Sequence, residues 1–361
     1  MTKINNYISQ ILFNEKKGSY GILTYIDFDR IFDTDILLGI VNKVIKKNPI
    51  LTQRIIDEKN KFYLEENSDF KITEHYDIQY KQFKKFNQLI HKQLNKEFDI
   101  WYVLFCVDEK KCKTRMYFKI DHAYADGYKL IQMLISPFQQ TPEPENLTSK
   151  FKRSSPGILS SIYYYLIGTL TVLILNIRFL YKVLCSPKIH TDNFYENART
   201  DYILFNKMDF KQVKEFTVRN GITVNDFMYA LMIRTQYNYT RTTKQIYSAS
   251  PINISKTSDT NNICPLFLSA TNHHDNKTLL KNINHMFNCC KYSLFVPLLS
   301  YFIPKIIPFF DKQTILGLYS SISDECDFTF SNIIGPDCKS IGEFKIKDVH
   351  FLTNTKSNQT C

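Results

Sequence analysis

Between Ser154 and Ile177 the chain runs for 24 residues without a charged side chain. About 20 apolar residues suffice to cross a bilayer as a helix, so such a stretch must be buried in protein or meet lipid. Lys150, Lys152 and Arg153 precede it, and Arg178 and Lys182 follow it. Positive charge on both flanks assigns no orientation. The stretch also divides the chain into two halves. If both halves complete one site, a single crossing would leave them on opposite faces of the membrane. The reading that keeps them together is a membrane-facing, monotopic helix lying on the surface; an ordinary buried helix is the alternative. A second apolar run, Ser293 to Phe310, is broken by Pro297, Pro304, Lys305 and Pro308, and suits the same surface.

Each half mixes strands and helices. In the first, Tyr20–Phe28 reads as a strand. Asp33 or Asp35 can cap a following helix with Ile36, Leu37, Ile40, Val41, Val44 and Ile45 on one face and Asn48-Pro49 as its stop. Leu51–Ile56 and Lys61–Leu64 form a hairpin, Tyr80–Leu94 a polar basic helix, and Trp101–Val107 and Thr114–His122 two strands around a charged turn. In the second, Tyr202–Phe210 is a strand and Phe210–Asn220 an amphipathic helix closed by Gly221. A helix starts at Thr223. Gln245–Pro251 and Ile263–Ala270 are strands, Lys277–Cys290 is a helix, and Phe328–Phe330 is a strand end. Two short strands, Glu343–Ile346 and Val349–Leu352, finish the chain. The order lacks the regular alternation of a parallel sheet, so the fold class is α+β. The expected division is an N-terminal lobe over 1–145, a linker with the apolar helix over 146–192, and a C-terminal lobe over 193–361.

The 361 residues carry a net charge of +11 and are 44% hydrophobic, ample for a large core. A basic balance suits nucleic acid, an anionic membrane or an anionic substrate. No RNA-binding string, zinc-finger spacing or basic helix supports nucleic acid. The nine cysteines lack paired metal-ligand spacing, so no metal site is expected and the thiols read as free, in a reducing compartment. Five Asn-x-Ser/Thr sequons, at Asn146, Asn238, Asn253, Asn276 and Asn358, are expected by chance in so Asn-rich a chain. The N-terminal residues are too polar for a signal peptide. Nothing in the sequence fixes an oligomeric state.

The chemistry-bearing stretch is Arg115–Ile135. Met116, Phe118 and Ile120 alternate with Tyr117 and Lys119, as in a half-buried strand, and His122 falls on the apolar parity. The chain then turns at Asp126-Gly127 into a helix whose Leu130, Met133 and Leu134 face one way. A histidine at the end of a buried strand, with a carboxylate four residues on, can serve as a general base. A satisfied core histidine and a helix-capping aspartate are the plain structural alternatives.

His122-Ala-Tyr-Ala-Asp126-Gly127 resembles the HxxxDG motif of the acyltransferase superfamily related to chloramphenicol acetyltransferase. That superfamily includes the condensation domains of peptide synthetases and the wax ester synthase/diacylglycerol acyltransferases. Three further strings resemble the latter family. Thr223-Val-Asn225-Asp226 resembles its Thr-Val-Asn-Asp helix start, Asn332-Ile-Ile-Gly335-Pro336 its Asn-Val-Pro-Gly-Pro segment, and Phe98-Asp-Ile-Trp101 its Pro-Leu-Trp string. Singly, each has a structural explanation: a capping box, a turn, a core anchor. Together they occur in order, over about residues 15 to 350.

The resemblance implies a two-lobed fold with a tunnel between the lobes. His122 would be the general base, with Asp126 and Gly127 shaping its turn. Asn332, with Asn225 behind it, would donate to the oxyanion; Asp226 and Gly335 would support these, and Trp101 would line the substrate tunnel. It implies fatty acyl transfer from acyl-CoA, as substrate rather than cofactor, to a long-chain alcohol or diacylglycerol. The place of action would be the cytosolic face of a membrane, in a eukaryotic cell the endoplasmic reticulum or a lipid droplet. A lipid- or CoA-binding descendant without turnover, or a soluble acyltransferase for small alcohols or amines, are the alternatives. Asp121 stands where the family has its first histidine, Ile334 where it has its first proline, and 25 residues follow Pro336, fewer than the family's further strand and helix require.

Overall fold

The structure, a computed structural model, describes residues 2–3, 21–58, 61–80, 100–122, 124–138, 157–185, 208–240, 245–253, 263–273, 275–306, 309–310, 312–332, 340–341 and 344–353. The first half begins with the short strand β1 (Thr2–Lys3) and the long strand β2 (Gly21–Phe28). Helix α1 (Thr34–Lys47) follows, and of the two caps the sequence offers it uses Asp33, whose carboxylate accepts the Ile36 amide at 2.9 Å. Leu37, Ile40, Val41 and Val44 are its buried face, and Asn48-Pro49 ends it. The hairpin β3 (Gln53–Glu58) and β4 (Lys61–Glu66) forms where the turn residues placed it, and β4 also pairs with β1. After β5 (Tyr76–Tyr80) come the antiparallel strands β6 (Trp101–Asp108) and β7 (Lys113–Asp121), then helix α2 (Gly127–Ile135).

The uncharged stretch lies in one long helix, α3 (Ile158–Cys185), with a π-helical segment at Tyr164–Gly168. The second half starts with α4 (Phe210–Arg219), which ends at Gly221 with φ +65, a left-handed turn that glycine adopts without strain. Then follow α5 (Val224–Thr240), the antiparallel strands β8 (Ile246–Asn253) and β9 (Ile263–Ala270), and α6 (Asn276–Tyr292). Helices α7 (Phe295–Ile306) and α8 (Lys312–Glu325), and strands β10 (Phe328–Thr329), β11 (Ser340–Ile341) and β12 (Phe344–Thr353), complete the described chain.

A six-stranded sheet in the order β11-β12-β2-β7-β6-β5 organises the first lobe, antiparallel except for the β5–β6 pair. One face packs Ile22, Ile26, Phe105 and Phe118 against α1 and α2. The second lobe has the sheet β10-β8-β9, with β10 parallel to β8. Its core joins Tyr229 and Ile233 of α5, Ile283 of α6, Leu266 and Leu268 of β9, and Val172 of α3.

Several expectations are revised. β7 is not half-buried: Tyr117 and Lys119, on its polar parity, are also buried, because the opposite face of the sheet holds Leu23, Tyr25 and Leu104 in a second cluster. The two short final strands are one strand, β12, with an irregularity between Ile346 and Asp348 that preserves pairing on both sides. That strand was placed with the C-terminal lobe, over 193–361; its backbone instead pairs with β2, inside the N-terminal sheet. Helix α8 and strand β5 had no counterpart in the sequence reading. The helix expected over 80–94 lies, past Tyr80, outside the described residues. So do the strand expected over 202–210 as far as residue 207, and most of the polar linker.

Candidate active site

The histidine loop is built by the end of β7 and the start of α2. Asp121 closes the strand, its amide donating to the Ile100 carbonyl at 2.8 Å. The Tyr124 amide then donates to the Asp121 carbonyl at 3.0 Å, which folds Asp121 to Tyr124 into a tight turn with His122 at its second position. His122 is partly exposed, so the strand parity that aims Met116, Phe118 and Ile120 into the core ends one residue before it. Asp126, buried, takes the N-cap of α2 and accepts the Lys129 amide at 2.7 Å. Gly127 is the first residue of that helix and is buried. Tyr124 and Ala125 are sealed in the core beneath the loop. Burial, reinforced by the charge of Asp121, pushes the Tyr124 phenol well above its ordinary pKa, so it stays protonated. The loop is thus pinned at both ends, and its histidine is the least buried of its ionisable side chains.

In the second lobe the Thr223–Asp226 string is a capping box at the start of α5. The Thr223 amide donates to Asp226 Oδ2 at 2.8 Å, and the Asp226 amide donates to Thr223 Oγ1 at 3.1 Å. The same Asp226 oxygen accepts from Asn284 Nδ2 at 2.6 Å. Asn284 Oδ1 accepts from Asn288 Nδ2 at 3.1 Å, and Asn288 Nδ2 also reaches the Tyr164 hydroxyl at 3.4 Å. A polar ladder therefore runs from the start of α5 along α6 to the π segment of α3. Asn284, Asn288 and Tyr164 were not singled out in the sequence; only the i, i+4 spacing of two asparagines on one helix hinted at them. Asn225, next to the capping box, accepts from Asn332 Nδ2 at 3.2 Å. The two residues that the resemblance named as oxyanion candidates thus meet. Gly335 lies outside the described residues.

Trp101 is 1% exposed. Its ring stacks between His75 and Phe118, with centroids 4.6 and 5.9 Å away, and its indole N–H donates to the Leu51 carbonyl at 2.8 Å. This is the packing of a core anchor, and it departs from the expectation that Trp101 lines a substrate tunnel: every face of the ring already has a protein partner. Among the described residues no cluster of three or more histidine, cysteine or acidic side chains could hold a metal ion.

His122 belongs to the first lobe and the Asn225–Asn332 pair to the second. Asn332 follows β10, and eight residues later the chain has crossed to β11 at the edge of the first sheet. The register places the start of β12 beside Phe28 and its end beside Ile22, next to the Gly21–Asp121 pair. The crossover thus enters the first sheet at the end away from His122. The sheet register alone does not carry Asn332 to the histidine.

No family model and no curated protein sequence matches this chain, so likeness rests on three-dimensional structure. The polyketide synthase associated protein 5 from Mycobacterium tuberculosis superposes with a TM-score of 0.58 at 11% identity, over 99% of this chain and 88% of the other. The wax ester synthase/diacylglycerol acyltransferase from Marinobacter aquaeolei VT8 gives 0.54 at 14% identity, over 99% and 89%. A variant of the starter condensation domain of rhizomide synthetase, solved in complex with C8-CoA, gives 0.57 at 11% identity, over 98% and 84%. The chain has the two-lobed α+β fold that these three structures share.

Proposed function

We propose that this protein is an O-acyltransferase that moves a fatty acyl group from acyl-CoA to a long-chain alcohol or diacylglycerol, with His122 as general base. The observation that carries the reading is the histidine loop: a partly exposed imidazole held at the end of a buried strand by a turn on one side and the Asp126-capped helix on the other. Two structural neighbours support the substrates. One is a wax ester synthase/diacylglycerol acyltransferase, and one was solved with C8-CoA.

His122 takes the proton of the acceptor hydroxyl as that oxygen attacks the thioester carbonyl. The C–O bond forms, the C–S bond breaks, and the proton passes to the departing CoA thiolate. A hydroxyl is a poor nucleophile near neutrality, and a positioned base contributes roughly 10²–10⁴-fold. Holding acyl donor and acceptor together contributes as much or more. The oxyanion needs an N–H donor, the role given to Asn332 or Asn225.

The test is CoA release by the purified protein given palmitoyl-CoA with hexadecanol or diacylglycerol, compared with His122→Ala. Loss of release in the variant supports the assignment, and equal release by both removes His122 as the base. Binding of palmitoyl-CoA without turnover would identify a binding protein instead.

A further inference from the structure

We infer that α3 and α7 form a ridge that docks this protein onto a lipid bilayer, with α3 lying in the plane of the interface rather than crossing it. The inference stands on the surface of the second lobe and not on the chemistry proposed for His122.

Helix α3 has 28 residues, a mean hydropathy of 1.9, and only 11% of its most apolar window buried. Half of its residues are large apolar side chains open to solvent, led by Ile158 and Leu159 at its N-terminal end. A helix apolar nearly all round is either buried or in lipid. This one is not buried.

One stripe of the helix is held by the protein. Gly168 lies so close to α6 that a side-chain carbon there would sit 3.2 Å from the Cys289 Cα. Val172 enters the second core, and Phe179 stacks on Phe267 at 4.5 Å. Val183 packs with Cys326, and Lys182 pairs with Glu325 at 2.7 Å. From Gly168 to Val183 this anchored stripe extends about 22 Å along the axis. A helix crossing the bilayer would drag α6, α8 and β9, with their polar side chains and sheet edge, into hydrocarbon, where unpaired polar groups are not tolerated. An in-plane helix keeps them in water.

Helix α7 extends the apolar surface. It packs on α3 and α6, the Leu294 amide just before it donates to Thr169 Oγ1 of α3 at 2.8 Å, and it exposes Leu298, Tyr301, Phe302 and Ile306, with Phe309 and Phe310 beyond. A second protein chain would cover one stripe of such a helix; the open surface here spans the remaining sides of α3 and one side of α7. The charges also fit lipid. Neither helix carries an acidic residue, while exposed Arg178 of α3 and Lys305 of α7 are basic. Lys305 Nζ sits 3.5 Å from the centre of the Tyr301 ring. Exposed tyrosines with basic neighbours suit the headgroup layer.

The experiment is flotation of the full chain with phosphatidylcholine vesicles, with and without phosphatidylserine, beside the variant Leu170→Glu/Ile174→Glu/Ile177→Glu. These three positions face solvent, so folding, checked by circular dichroism, is retained. The wild type should float, more completely with phosphatidylserine at low salt, and the variant should stay below. Topology is read with a membrane-impermeant maleimide on sealed vesicles, using native Cys185 and Gly157→Cys at the two ends of α3 and mapping labelled peptides by mass spectrometry. Labelling of both ends from outside supports the in-plane arrangement, and protection of one end overturns it. Failure to float, equal flotation of the variant, or a lipid-free dimer that the three glutamates dissociate would overturn the membrane assignment. An inactive His122 variant that still floats separates failure of the chemistry from failure of the docking.

Discussion

Asn332 donates from Nδ2 to Oδ1 of Asn225 at 3.2 Å, joining residues 107 apart in sequence. A primary amide has two N–H donors and one carbonyl oxygen, so this contact uses one Asn332 donor and leaves the Asn225 amide with both of its own as chemistry to offer. If the pair serves the oxyanion, each alanine variant should lower kcat by about 10-fold or more with little change in KM, since the contact strengthens only in the transition state. The double variant should lose much less than the product of the two single losses, because the residues act as a unit. Steady-state kinetics of the four proteins checks this, and strictly multiplicative losses would mean that the two side chains work separately.

Asp226 is 2% exposed and accepts both the Thr223 amide and Asn284 Nδ2. Asp226→Ala removes a cap and strands the Asn284 amide, and should cost about 2–3 kcal/mol. Asp226→Asn keeps an acceptor oxygen and should cost less. Urea unfolding measures both. Equal stability of all three proteins would show that the capping box contributes nothing.

Local chemistry explains what the sequence made legible. The Asp33 and Asp126 caps, the Gly221 terminator, the Thr223–Asp226 box and the hairpin at β3–β4 are each set by a few neighbouring residues. What stayed hidden depends on distant partners. The end of the chain reads as two short strands, and pairing with β2 decides both that they are one strand and which sheet it joins. Tyr117 and Lys119 look solvent-facing until the apolar neighbours on β2 and β6 that share their side of the sheet are known. Trp101 matched a motif, yet its burial comes from His75 and Leu51, both outside that motif. Helix α8 has weak apolar periodicity and is held by α3 through Lys182–Glu325 and Ile322.

The burial of Trp101 separates stability from catalysis. Trp101→Ala empties a large core site and should cost about 3–5 kcal/mol. Trp101→Phe keeps an aromatic ring but leaves the Leu51 carbonyl without its donor, at about 1–3 kcal/mol. Where Trp101→Phe remains folded, its KM for acyl-CoA should match the wild type. A raised KM with unchanged stability would restore the tunnel role that the packing argues against.

Cys290 and Cys326 are 1% and 2% exposed, and burial pushes both thiols up to about 12 from an ordinary 9.0. Cys112 and Cys185 are exposed. A thiol reagent at mildly alkaline pH should modify the exposed pair in the native protein and reach the buried pair only in denaturant. The same shift ties stability to pH. Between about 9 and 12 the unfolded chain releases these protons while the folded chain retains them, so unfolding is favoured by rising pH. Each thiol lowers stability by up to about 1.4 kcal/mol per pH unit across that window, and contributes no slope well below it. Cys290→Ala costs stability at every pH through its cavity, but its thermal midpoint should fall less steeply above pH ~9 than that of the wild type. Parallel slopes, or rapid native-state modification of Cys290, would mean that this thiol reaches solvent.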